Sequence, residues 1–309
     1  MFNYAIQKLY NVSNYKVNKS SDSHNNLSGN RCYCRIKISN DFSRLGKYIL
    51  LLPLNTKTPL FQHVAFLDVA DHEGSTLELQ LTNKFGALRA KFIKCDISDD
   101  AQLTAVYKQV VDKYYRLDGV INSAAILSSD QETHKRMVDI NFAATVNSTL
   151  KALEVMGVDK GGNGGVIVNI SSLLALNLGS HLPVYSATKA AVLQFSIAMG
   201  VKEFYSKTQV RVLTVCLGPT DTAILYRSGS QNFDKNSAGQ ITSRVPVRQR
   251  VESAATGILD VINKGKSGST WIVKNDMPAY DHTDNIVAAF NVLSTSLRAL
   301  SLGPPATLL

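Results

Sequence analysis

Tyr185 and Lys189 stand four residues apart in VYSATKAAVLQF, residues 184–195. On a helix, positions i and i+4 share a face, so the phenol and the ammonium would lie a few ångströms apart. A cation beside a phenol favours its ionised form, which is one way to make a base that works near neutral pH. Ser171 and Ser172 close the apolar run GGVIVNISS (164–172), and Tyr185 follows Ser172 by thirteen residues. That interval allows a loop that folds a helix start back over a strand end. A single Ser, Tyr or Lys of this kind is more often structural. The ordered set of Asn122, NISS, the thirteen-residue interval and YSATK is much more specific.

These residues need a scaffold to bring them together, and the sequence predicts one. HVAFLDV (63–69), AKFIKCD (90–96), DGVINSA (118–124), GGVIVNISS, VRVLTVCL (210–217) and STWIV (269–273) read as strands, nearly continuous in hydrophobicity. Strands covered on both faces have that pattern. Leu103, Val106, Tyr107, Val110, Val111 and Tyr114 mark one face of a helix in 99–116. Further helices are predicted over 130–155, around Tyr185 and Lys189, and over 248–264. Alternating strands and helices predict an α/β fold, a single Rossmann-type domain with a doubly wound parallel sheet over 63–280. In such a sheet, ligands sit beyond the carboxyl ends of the strands. Residues 1–62 lack this order and read as an atypical, partly disordered segment; 281–309 read as an extension with an apolar helical stretch.

Bulk properties narrow the function classes. The 309 residues carry a net charge of +9, of which residues 1–40 hold six bases and one acid. No basic stripe with interleaved aromatics is present, so no nucleic-acid partner is expected. The longest apolar run, YILLLPL (48–54), is far too short to span a bilayer, and no signal peptide opens the chain. Cys32, Cys34, Cys95 and Cys216 have no metal-ligand spacing, and the six histidines are scattered, so no metal site is expected. Free thiols suit a reducing compartment, which makes a cytoplasmic location the expectation.

From about residue 63 to 275 the chain resembles the short-chain dehydrogenase/reductase family. Within it, the sequence is similar to NAD-dependent hydroxyprostaglandin dehydrogenases and insect-type alcohol dehydrogenases. FIKCDISD, RLDGVIN, GGNGGVIVNISSL, PVYSATKAAV and TAIL carry the resemblance. It implies NAD-dependent oxidation of a secondary alcohol to a ketone, with Tyr185 as the catalytic base. A tyrosine titrates near 10, so work at neutrality needs a shift worth roughly 3–4 kcal/mol. A cation about 5 Å away at an effective dielectric near 20 supplies on the order of 3 kcal/mol. Lys189 would give that shift and hold the nicotinamide ribose. Ser172 would hydrogen-bond the substrate oxygen, and Asn141 would help pass protons to solvent. Asp68, closing HVAFLDV, would accept from the adenosine ribose and repel a 2′-phosphate, favouring NAD; the bland alternative is a cap on the following segment. Asp96 and Ile97 would flank adenine, Asn122, Ser123 and Ala124 would line the cofactor, and Thr220 and Thr222 would meet its carboxamide and phosphates. Residues 221–250 would form the substrate loop. A homodimer or homotetramer packed through the tyrosine helix is also implied.

The resemblance fails at one place. The family opens with a strand and a T-G-x-x-x-G-x-G turn about two dozen residues before the acidic residue, where backbone N–H groups meet the pyrophosphate. Here that interval holds NDFSRLGKYILL (40–51), with Gly46 alone. YCRIKIS (33–39) has strand composition, but Pro53 and Pro59 would interrupt a helix between it and Asp68. Three explanations are open: a misjoined coding sequence, a weak cofactor site, or a catalytically silent relative that binds a ligand or partner. The abrupt break at about residue 62 favours the first. Smaller departures are Tyr115, Ala125 and Ala175 where the family has glycine, and Leu217 where it has proline.

Overall fold

The computed structural model describes residues 48–52, 63–87, 89–128, 131–177, 182–227 and 248–295. The expectations for 1–47, including a strand over 33–39, and for most of the substrate loop lie outside the described residues.

Among the described residues, eight strands form one sheet in the order β3-β2-β1-β4-β5-β6-β7-β8. They are β1 (Tyr48–Leu52), β2 (His63–Asp68), β3 (Ala90–Lys94), β4 (Gly119–Asn122), β5 (Gly165–Ser172), β6 (Val210–Leu217), β7 (Thr270–Val273) and β8 (Tyr280–Asp281). Alternation along β2 decides where each face packs. Val64 and Phe66 join Leu77, Leu81, Ala254 and Ile258 in one core. Ala65 and Leu67 join Leu103, Val106, Val110 and Ala144 in the other. Helices α1 (Asp71–Phe85) and α8 (Val251–Lys264) therefore cover one face, and α2 (Asp100–Tyr114) and α4 (Ala144–Met156) the opposite one. Burial on both sides explains why the strands read as unbroken apolar runs.

The sheet is mostly parallel, with a departure at its centre. β2–β3, β4–β5, β5–β6 and β6–β7 pair in parallel, whereas β1 runs antiparallel to both β2 and β4. Ten residues, 53–62, join β1 to β2, fewer than a parallel crossover needs, so the chain can return only as an antiparallel neighbour. The slot between β2 and β4 is filled by the apolar run of 48–52. Its reversal has a direct consequence: Tyr48 lies opposite Leu67 and Asn122, at the carboxyl edge of the parallel strands. The chain enters β1 at the edge where the family pattern would leave it, and no strand-to-helix turn follows β1 there.

The helix predicted over 130–155 is composite. A 3₁₀ turn (Gln131–Thr133) leads into α3 (His134–Val138), a π turn (Asp139–Ala143) and α4. The N–H of Ala144 donates to Asp139 O, five residues back, as a π turn requires. Helix α2 ends at Tyr115 with φ 65°, the left-handed conformation that favours glycine. A side chain there costs on the order of 1 kcal/mol. Helix α5 (Pro183–Met199) packs against β5 and β6, followed by α6 (Lys202–Thr208) and α7 (Ala223–Arg227). Beyond the β8 edge, α9 (Thr283–Ser294) buries Ile286.

Candidate active site

Pro183 opens α5 at its first turn, where the missing N–H carries no penalty. Nearly two turns on, Lys189 is buried and doubly tied to β5. Its Nζ donates to Ile170 O at 2.9 Å, and its own carbonyl accepts from Ser171 Oγ at 2.7 Å. The ammonium lies over the Tyr185 ring, 5.8 Å from the centroid. Ser172 lies close enough to the Tyr185 hydroxyl to lower its pKa, and its Oγ accepts from Leu174 N at 3.2 Å. Ser172, Tyr185 and Lys189 thus meet at the carboxyl end of β5.

The electrostatics differ from the expectation of a phenol already made acidic. Burial pushes the Tyr185 hydroxyl up to about 12, against the lowering influence of Ser172. Burial likewise pushes Lys189 down to about 8, with Cys216 acting in the opposite direction. The reason is geometric. Lys189 faces the ring and directs its hydrogen bond to Ile170, so both groups of the pair resist charge in the ligand-free chain.

The other predicted residues fall into two sets. Asp68, Asp96 and Ile97 come together at the ends of β2 and β3, where Cys95 N donates to Asp68 O at 3.0 Å. One carboxylate oxygen of the buried Asp68 accepts from Ala70 N at 2.9 Å, closing a turn immediately before α1, whose N-cap Ala70 has no side-chain cap. Asp96 accepts from Ser98 N and Oγ at 3.0 and 2.6 Å, and Ile97 is buried beside it. Ser123 and Ala124 are half-buried beyond β4.

The second set consists of side chains committed inside the protein. Asn141, in the π turn, accepts from Ile126 N at 2.8 Å and donates to Ile126 O at 3.0 Å and Thr188 Oγ1 at 3.3 Å. Its amide therefore pins the β4 loop to α5. Asn122 donates to Asn169 Oδ1 and Thr149 Oγ1 at 2.7 and 3.2 Å and accepts from Ser148 Oγ at 2.7 Å. Its side chain faces the core, leaving only its backbone for a cofactor. Thr220 is buried and donates to Gly218 O at 2.9 Å; Thr222 donates to Thr220 O at 3.3 Å.

Sequence reasoning missed the rest of this buried network. Tyr107 meets Ser148 O at 2.9 Å, and Asn169 donates to Ser196 Oγ at 2.9 Å. The signal was Asn169, a carboxamide inside an otherwise apolar strand. Among the described residues, no group of three His, Cys, Asp or Glu side chains could hold a metal, and no helix is long and apolar enough to cross a membrane. Cys95 and Cys216 are free and buried; Cys32 and Cys34 lie outside the described residues.

Comparisons with known proteins point to one family. The profile of the short chain dehydrogenase family matches residues 61–232. A 15-hydroxyprostaglandin dehydrogenase [NAD(+)] of Macaca fascicularis is 32% identical over 162 residues, 52% of this chain and 60% of that protein. The chain thus spans about 60% of the length of that relative. Alcohol dehydrogenase 2 of Ceratitis capitata is 31% identical over 208 residues, 66% of this chain and 78% of that one. A short-chain dehydrogenase from Sphingobium yanoikuyae solved with NADPH superposes with a TM-score of 0.60 at 20% identity, covering 79% of this chain and 88% of the other. That likeness is one of fold.

Proposed function

We propose, from the premise that this chain belongs to the short-chain dehydrogenase family, that it oxidises a secondary alcohol to a ketone with NAD. The observation that carries the reading is the ammonium of Lys189 lying over the Tyr185 ring at the end of β5, where Ser172 stands. The residues fit a dinucleotide at both ends. Asp68, a buried carboxylate next to Ile97, would accept from the adenosine ribose, and Lys189 would hold the nicotinamide ribose. The middle fits less well, because reversed β1 supplies no turn for the pyrophosphate. Losing two charge-assisted hydrogen bonds there, at roughly 1.5–3 kcal/mol each, makes weak binding the expectation.

Bound nicotinamide would supply the hydride acceptor. The chain's own residues do the remaining work. Ser172 orients the substrate hydroxyl and steadies charge developing on its oxygen. Tyr185 takes the proton from that oxygen, aided by the fixed cation of Lys189 and by the positive ring it would face. Asn141 keeps this geometry by fixing Ile126 and Thr188. The 221–250 loop, with Ala223, Ile224 and Leu225, suits an apolar substrate such as a hydroxylated fatty-acid derivative or a small alcohol. A cytoplasmic homodimer or homotetramer packed through α5 completes the reading.

The rival is a dehydrogenase-like binder without turnover, which the likeness to named dehydrogenases does not favour. Calorimetric titration with NAD and NADH, followed by assays of secondary alcohols, separates the two. Binding with turnover that Tyr185→Phe abolishes, while leaving NAD affinity nearly intact, is the expected result. Turnover retained in Tyr185→Phe refutes the assigned base, and no NAD binding at millimolar concentration favours the rival.

A further inference from the structure

Gln249 stands between two arginines in VRQRV, yet it is only 1% exposed. Its side-chain amide donates into a cluster of acceptors: Thr220 Oγ1 at 3.0 Å, Val273 O at 3.1 Å and, more weakly, Gly218 O at 3.4 Å. Flipping the amide would set its oxygen against two carbonyls, so the partners fix its orientation. The backbone adds two ties. Gln249 N donates to Pro219 O at 2.9 Å, and Asp221 N donates to Gln249 O at 3.0 Å. Thr220 passes its own proton to Gly218 O at 2.9 Å, so its hydroxyl is committed on both sides.

These bonds converge on a turn beside the site. Leu217, the last residue of β6, pairs with Ser172, and the Gly218–Asp221 turn follows it. Gln249 therefore fastens that turn to the end of β7 just before α8 begins. It also joins the two ends of the 222–248 segment through Asp221.

We propose that Gln249 is a positioning residue. Its amide holds the Gly218–Asp221 turn in place beside Ser172, so ligand affinity at this edge depends on a side chain that touches no ligand. The kinetic consequence rests on the dehydrogenase reading, whereas the clasp itself can be measured without turnover.

Gln249→Met keeps the side chain's length and removes its amide. Hydrogen exchange followed by mass spectrometry should show residues 218–222 exchanging roughly three- to tenfold faster, with β5 and the centre of α8 unchanged. The KM for the alcohol should rise by a similar factor, with kcat within about twofold. Thr220→Val should give the same faster exchange at 218–222, and exchange there in the double variant should be no faster than in the worse single variant. Unchanged exchange at 218–222 overturns the clasp whether or not the protein turns over an alcohol. Multiplying effects in the double variant overturn the Thr220–Gln249 link, and a lower kcat at constant KM overturns the positioning role. A wild-type protein without turnover sinks the dehydrogenase reading and leaves exchange to decide this one.

Discussion

The ammonium of Lys189 lies 5.8 Å from the centre of the Tyr185 ring while its hydrogen bond goes to the carbonyl of Ile170. The cation is close enough to act on the phenol, but enclosure dominates, and Tyr185 titrates at about 12. The phenolate should therefore be absent from the ligand-free protein at pH 10. Ultraviolet difference titration of the wild type against Tyr185→Phe measures this directly. Adding saturating NAD should move the transition to lower pH, because the nicotinamide adds a second positive charge. A ligand-free midpoint at or below 10 would show that Lys189 alone activates the phenol.

Lys189 gives a second pH dependence whose sign follows from its lowered pKa. Between about 8 and 10.5 the unfolded chain holds a proton that the folded chain has lost. Stability then rises with pH through that window, because the buried charge has been relieved. Relative to Lys189→Met, the wild type should gain about 2–3 kcal/mol from pH 7 to pH 10. Urea unfolding of both proteins at the two pH values tests this. A constant difference means that the ammonium remains charged inside the protein.

Asn141 shows how much of the site depends on contacts across the fold. Its amide satisfies both backbone groups of Ile126, fifteen residues away, and reaches Thr188 on α5. Asn141→Leu should cost about 2–4 kcal/mol, because it leaves a buried N–H and C=O without partners. Thr188→Val, which removes the longest of the three contacts together with the Thr188 Oγ1 bond to Tyr185 O at 2.8 Å, should cost about 1–2 kcal/mol. Thermal unfolding of both variants decides it; equal losses would mean that the Ile126 bonds contribute little.

The parts legible from sequence are those governed by local period and spacing. Continuous apolar strands, the Tyr185–Lys189 interval and the glycine-like position at Tyr115 all report nearby backbone geometry. The composite form of the 131–156 helix was not legible, since one extra residue in a π turn hardly alters its apolar face. Nor was the strand at 48–52. Its apolar run was visible, but the distance to Asp68 suggested a failed phosphate turn rather than a reversed strand. The roles of Asn122, Asn141 and Thr220 were read from the ligand side. Each side chain is instead held by partners from distant segments, such as Asn169, Ile126 and Gln249, which no local pattern predicts.

Asp68 carries two claims that one pair of variants can separate. Its Oδ1 accepts from Ala70 N at the start of α1, and its negative charge is proposed to select NAD over NADP. Asp68→Asn keeps an oxygen for Ala70 and removes the charge; Asp68→Ala removes both. Asparagine should therefore melt near the wild type, while alanine should lose about 1 kcal/mol with the hydrogen bond to Ala70. Both should narrow the preference for NAD by at least about tenfold, since a 2′-phosphate no longer meets a buried carboxylate. Fluorescence titration with NADH and NADPH provides the comparison. If Asp68→Asn discriminates as the wild type does, the residue only closes the turn before α1, and cofactor choice must be sought in another part of the edge.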